Sequence, residues 1–286
     1  MRFARLRFPR RFAPRKQLSG DVGLHSMADP ATEFEQELEI LRTEAEAATQ
    51  FFYAYLTIHA VAAEQQPVYR LLNRTALFWN TALGALQTAT FIALGRILDQ
   101  SSAHNVDRVL KIAQKHPHIF STLALGVRKQ GNAKTPPEWL PEYLRDAYVP
   151  KAGDFRRLRA HVRKRRKTYD EKYRDLRSKV FAHKELTEPT AVSALFAKTN
   201  VRELQRLLVF FSALHEALWQ LFFNGRKPTL QPRRYSMQRM RDLPSPAERG
   251  KDVQERITLE AEQFLMAAAS TAPQRIASDA PQAARG

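Results

Sequence analysis

The chain has no cysteine. This one absence removes disulfides, zinc ribbons and thiol nucleophiles together, and it agrees with a reducing, cytoplasmic setting. Glycine is sparse, with ten in 286 residues. The glycines never fall into GxGxxG, GxxxxGK[ST] or GxSxG, so phosphate-cradling loops and a nucleophile elbow are excluded. The stretch LHEALW starts like the zinc motif H-E-x-x-H but carries Trp219 where the second histidine would stand. His215 then reads as a core-edge histidine, and His116 and His118 as part of a turn. No metal and no cofactor is expected. Period-two alternation, internal repeats and sustained heptads are also lacking, which leaves helix as the one periodic signal.

Acidic residues are the minority. The formal charge is +17 and the sequence pI about 10.4, a balance that favours polyanionic partners. Residues 1–26 hold seven basic residues and one acid. The remainder still carries +11, so the basic character belongs to the body of the chain. The opening MRFARLRFPRRFAPRKQ lacks the apolar core of a secretory signal. It has the composition of a transit peptide, but we read Met27 rather than Met1 as the natural start. The uncharged run Ala76–Gly95 is long enough to span a bilayer. Asn80, Gly84, Gln87 and Thr88 place a polar and small-residue stripe along it, so a buried bundle helix is expected and no membrane.

The hydrophobic share of 44% supports a buried core. A first helix opens at Thr32, with Phe34, Leu38, Leu41, Ala45, Ala48 and Phe52 at spacings of three and four, and Pro67 ends it. Glu33, Glu35, Glu37 and Glu39 read as a solvated face that complements the helix dipole. A helix over Ala76–Gln100 follows, then a short one capped by Asn105 and ended by Pro117. Residues 125–150 read as a loop with one short helix, Glu138 to Ala147. Asp154 caps the longest helix, Phe155 to about Lys184. Asn200 with Glu203 forms a capping-box pattern before a helix that stops at Asn224-Gly225. The expected organisation is a disordered basic extension over 1–30, an all-α bundle over 31–226, a proline-containing basic linker over 227–247, an amphipathic helix over 248–270 and a disordered tail over 271–286.

Eight of the twelve residues from Arg156 to Lys167 are Arg or Lys. An apolar seam at Phe155, Leu158, Val162, Tyr169, Tyr173, Leu176 and Val180 leaves the cations on the other faces. Arg156, Arg157, Arg159, Arg163, Lys164, Arg166, Lys167 and Lys179 are therefore candidates for phosphate contact, against the alternative of a solvated helix whose side chains cover apolar neighbours. Near the end of the same pattern stand Arg177 and His183. On one straight helix their side chains are about 120° apart and about 9 Å apart along the axis. They converge only if the helix bends or a second copy of the chain supplies a partner. Arg96 and Asp99, in GRILD, read first as a helix-end ion pair; the alternative is that Asp99 orients Arg177 or His183.

The stretch LRSKVFAHKE resembles the signature of the HEPN superfamily: an Arg, four to six residues, then His near the end of a helix in an all-α bundle. FFYAYLTIHAVA, LFWNTALGALQTATFIALGRILD, YRDLRSKVFAHKE and ALFAKTNVRELQRLLVFFSALHEALW are similar to the branch related to the bacterial abortive-infection protein U. The resemblance spans roughly residues 33–225 and implies a HEPN-like bundle whose long basic helix carries the Arg-x5-His motif. It further implies a dimeric, metal-independent ribonuclease of a defence or toxin-like system, with RNA as substrate and an antitoxin or defence protein as a further partner. Carried over, His183 would be the acid or base and Arg177 the phosphate ligand. Ser178 stands where active members often have Asn, Asp or His, and Glu185 where some toxin members carry a modified Tyr. Ser178, Asp99, Arg96 and Tyr173 would support the site. A non-catalytic module that binds RNA or a protein is the alternative.

Overall fold

The computed structural model describes residues 29–182, 188–231 and 252–271. Every regular element among them is helical. In order these are α1 (Pro30–Glu64), α2 (Gln66–Arg74), α3 (Ala76–Leu98), α4 (Val106–Lys115), a 3-10 turn (Pro117–Phe120), α5 (Thr122–Gln130), α6 (Leu140–Arg145), α7 (Ala152–Lys172), a π-helical segment (Leu176–Ala182), α8 (Pro189–Ala197), α9 (Val201–Asn224) and α10 (Val253–Thr271). The all-α bundle expected from periodicity is the architecture found.

α1 is the central pole, with α3, α4, α9 and α10 packed around it. It begins at Asp29, whose carboxylate caps Thr32 N–H, with Pro30 in the first turn where a missing N–H costs nothing. Phe34, Leu38, Leu41, Ala45, Ala48 and Phe52 are buried, as the spacing of three and four requires. At Gln65 the backbone turns extended, and Pro67 sits in the first turn of α2. The main core joins α1, α3, α4, α7 and α9; a smaller one seals Ile58, Val61 and Val68 under Leu265 of α10.

Local chemistry sets most boundaries. Asn105 caps Asp107 and Arg108 N–H at the start of α4, and Asn200 caps Arg202 and Glu203 N–H at the start of α9. Gly225 ends α9 at φ +57°, where a Cβ would lie 2.6 Å from Leu125 Cδ2.

Several expectations are corrected. The longest helix is α1, of 35 residues, whereas α7 has 21 and stops at Lys172. Its N-cap is Lys151; Asp154 lies inside the first turn and accepts the Lys151 N–H. The chain then passes through Tyr173 into i→i+5 winding at Leu176–Ala182, so the basic helix is not one rod to Lys184. α5 runs into the stretch from residue 125 read as loop, and α8 occupies residues to which the periodicity assigns no element. The acidic face of α1 is not simply solvated: Glu37 is buried and pairs with Arg108 and His104, while Glu33 also reaches Arg108. Two helices, Ala76–Leu98 and Val201–Asn224, are long and apolar enough to cross a membrane. α9 supplies much of the main core. α3 is buried only from Thr90 onward, with Leu77 and Phe78 near its start exposed. The linker and tails of the sequence reading fall largely outside the described residues.

Candidate functional site

Arg177 is the second residue of the π segment, and this segment packs on the last turns of α3. Its Nη1 lies 3.1 Å from Asp99 Oδ2, and the two side chains are 26% and 10% exposed. Asp99 is fixed as the C-cap of α3, its N–H bonded to Gly95 O at 2.8 Å. The guanidinium lies against the helix backbone at Gly95: a Cβ there would come 2.7 Å from Arg177 Nε and 3.2 Å from Cζ. Only glycine admits this approach.

Tyr169, one helical turn before Tyr173, closes the inner wall of the cradle. Its hydroxyl pKa is pushed far up, first by burial and then by the negative charge of Asp99. The Tyr169 hydroxyl faces the Asp99 carboxylate, whereas Arg177 Nε is buried and lacks a hydrogen-bond partner among the described residues. A buried guanidinium N–H left open is unusual, since buried polar groups are nearly always paired. An arginine has five N–H groups, and Asp99 takes one through Nη1. The arrangement holds a planar cation in fixed orientation with donors to spare, which is what recognition of a phosphodiester needs.

The other expected site residues divide. Arg96 turns away from Asp99 and pairs with Glu44 of α1 at 3.2 Å. Tyr173 is buried rather than lining a cleft. Its hydroxyl bonds Asn200 O at 3.1 Å and Glu203 Oε2 at 3.2 Å, and burial pushes its pKa to about 12. Ser178 is partly exposed and makes no hydrogen bond among the described residues. Lys179 is held by Asp175 at 3.1 Å. His183 lies outside the described residues. Gly95 and Tyr169 belong to the cradle although sequence reasoning did not assign them to it. A glycine inside an apolar helical run, four residues before an acid, was the available signal for Gly95.

Along α7 the cations are not equivalent. Arg156, Arg163 and Lys164 are exposed and form no ion pair among the described residues. Arg157 is tied to Asp154 and Lys167 reaches Glu171 at 3.7 Å. Arg159 is half-buried beside α4, in a hollow shared with Lys111 and Arg108. Arg166 is a correction to the expected phosphate contacts. It is buried, its Nε donates to Leu98 O at 3.1 Å, and Nη2 meets Asp107 Oδ2 at 2.6 Å. It thus bolts α7 to the end of α3 and the start of α4, beside Asp99. Among the described residues no group of three or more His, Asp or Glu stands close enough to hold a metal ion.

A family model, HEPN AbiU2, matches residues 31–243, which runs from the second residue of α1 past the end of α9 and includes both Arg177 and His183. No curated protein and no solved structure matches the chain. With the match extending over well more than half of the sequence, the chain belongs to the HEPN AbiU2 family.

Proposed function

We propose that the protein is a metal-independent endoribonuclease of a bacterial abortive-infection or toxin-like system, acting in the cytoplasm as a homodimer. The observation that carries this reading is the Arg177 cradle: a guanidinium seated on Gly95, steered by Asp99, with donors unspent, six residues from a histidine in a family whose name is built on HEPN. In the proposed reaction the ribose 2′-oxygen attacks the adjacent phosphorus and the bond to the 5′-oxygen breaks. His183 takes the proton from the 2′-OH or gives one to the leaving oxygen, its ordinary pKa being close to neutrality. Arg177 binds the non-bridging oxygens and offsets the charge that grows on them. The products are a 2′,3′-cyclic phosphate and a 5′-OH. A second copy brings its own Arg–His pair to the cleft.

The test is cleavage of purified RNA in EDTA by the wild type, Arg177→Ala and His183→Ala. Loss of at least a hundredfold in both variants, with cyclic-phosphate ends in the wild type, is expected. Cleavage at an undiminished rate in either variant refutes the assignment. Ser178 favours a second reading, a module that binds RNA or a protein without cutting. Salt-sensitive RNA binding with no cleavage by the wild type would establish the RNA-binding form of that reading.

A further inference from the structure

We propose that the cavity bounded by α1, α3, α8 and α9 binds a single nucleobase, of an RNA strand or of a free nucleotide, beside the phosphate taken by Arg177. This assignment rests on the reading of Arg177 as a phosphate ligand. The cavity holds about 210 Å³ and is lined by Phe52, Tyr55, Gln87, Phe91, Phe196 and Thr199, among others. That is below the roughly 300–1,000 Å³ of sites for drug-sized ligands, and it suits one planar ring system.

Its chemistry is selective. In a chain with 26% charged residues, no charged side chain lines it. Four of its ten lining residues are aromatic, and every base has a π-face to stack on such rings. Tyr55 and Phe196 are only partly buried, which leaves ring surface open. The Gln87 amide, a paired donor and acceptor, makes no hydrogen bond among the described residues. An aliphatic occupant would leave that amide unpaired, whereas the edge of a base satisfies both its groups.

Its position is equally specific. Phe91 stacks on Phe181 at 5.0 Å and 12°, and Phe181 is in the same π segment as Arg177. Phe91 stands one turn of α3 before Gly95, on which the guanidinium rests, an offset of about 6 Å along the helix. The apolar slot and the phosphate ligand therefore share α3, through Phe91 on one side and Gly95 on the other, and lie beside each other as a base and its own backbone do in one nucleotide. The charge is divided accordingly, with the cation at the cradle and none in the slot.

The test titrates the full chain with the four 5′-nucleoside monophosphates and with ribose 5-phosphate by calorimetry, and then with short RNAs as competitors. At least one nucleotide is expected to bind tenfold or more tightly than ribose 5-phosphate. Gln87→Leu and Phe196→Ala should each remove roughly a five- to hundredfold share of that affinity, without weakening ribose 5-phosphate. Arg177→Ala should weaken both ligands. Thermal unfolding of each variant checks folding, and Gln87→Leu is the milder replacement if Phe196→Ala fails. Nucleotides that bind no better than ribose 5-phosphate, or that keep their affinity in a folded Gln87→Leu protein, overturn the proposal. Competition by RNA identifies a base within a strand as the occupant, and its failure identifies a free nucleotide. Base-dependent binding without RNA cleavage leaves the slot standing and sinks the nuclease; cleavage without base-dependent binding does the reverse.

Discussion

Gly95 is the position where one methyl group separates two opposing effects. In a helix, Gly→Ala normally adds about 1 kcal/mol of stability. Here the new Cβ would meet Arg177 Nε at 2.7 Å, inside any tolerable contact. The clash falls on a side chain that is 26% exposed and able to swing outward. Gly95→Ala is therefore expected to fold with a melting temperature within a few degrees of wild type while RNA cleavage falls at least tenfold, measured under single-turnover conditions. Wild-type cleavage in the folded variant would show that the guanidinium does its work elsewhere. The parts of this cradle were legible one at a time: Arg177 from its spacing to His183, Asp99 from its place in GRILD. Their meeting was not, because nothing within either helix encodes which turn of α3 receives the π segment. Tyr169 was read as one more member of an apolar seam, and its buried hydroxyl becomes informative only beside Asp99.

At the scale of the element, α7 starts at a buried carboxylate. Asp154 accepts Lys151 N–H and the Tyr148 hydroxyl, each at 2.8 Å, and pairs with Arg157. Burial alone would raise its pKa, but these hydrogen bonds and the guanidinium outweigh it and hold the carboxyl below its ordinary value. A lowered folded-state pKa means stability that is fully present above the unfolded value, near 4, and is lost as pH falls through the folded value. Asp154→Asn should cost about 1–3 kcal/mol at pH 7, read as a lower urea midpoint, and the gap to wild type should narrow as the buffer is taken from pH 7 to below about 4. A gap that holds constant across this range would mean that the charge of Asp154 contributes nothing. Boundaries of this local kind were readable in advance: Asn105, Asn200 and Gly225 act through bonds and dihedrals within a few residues. The end of α7 was not. The basic run and the apolar seam both continue past Lys172, and i→i+5 winding preserves enough of the seam to look like α-helix. α5 and α8 were missed for a related reason, since nine residues are too few for a periodic signal against flanking Gly and Pro.

At the scale of the whole molecule, α10 is part of the bundle and not an appendage. Leu265 is 1% exposed over Ile58, Val61 and Val68, so Leu265→Ala should lower stability by about 2–4 kcal/mol in chemical unfolding. A loss below about 0.5 kcal/mol would mean that α10 detaches. The net charge of +17 is spread unevenly in what it can do. Arg157 and Arg166 are committed to carboxylates, and Arg165 lies over the Phe210 ring at 5.4 Å. Arg156, Arg163 and Lys164 have no such commitment and fall within about 100° of one another around α7, which makes them the natural track for a phosphate backbone. Each phosphate contact to a single strand contributes about 0.7 to the slope of log affinity against log salt concentration. Replacing all three with Gln should flatten that slope by about 2 and weaken RNA of every sequence alike. A slope that stays unchanged would move the strand to a different face, because counterion release records the number of cations in contact and nothing about their fold.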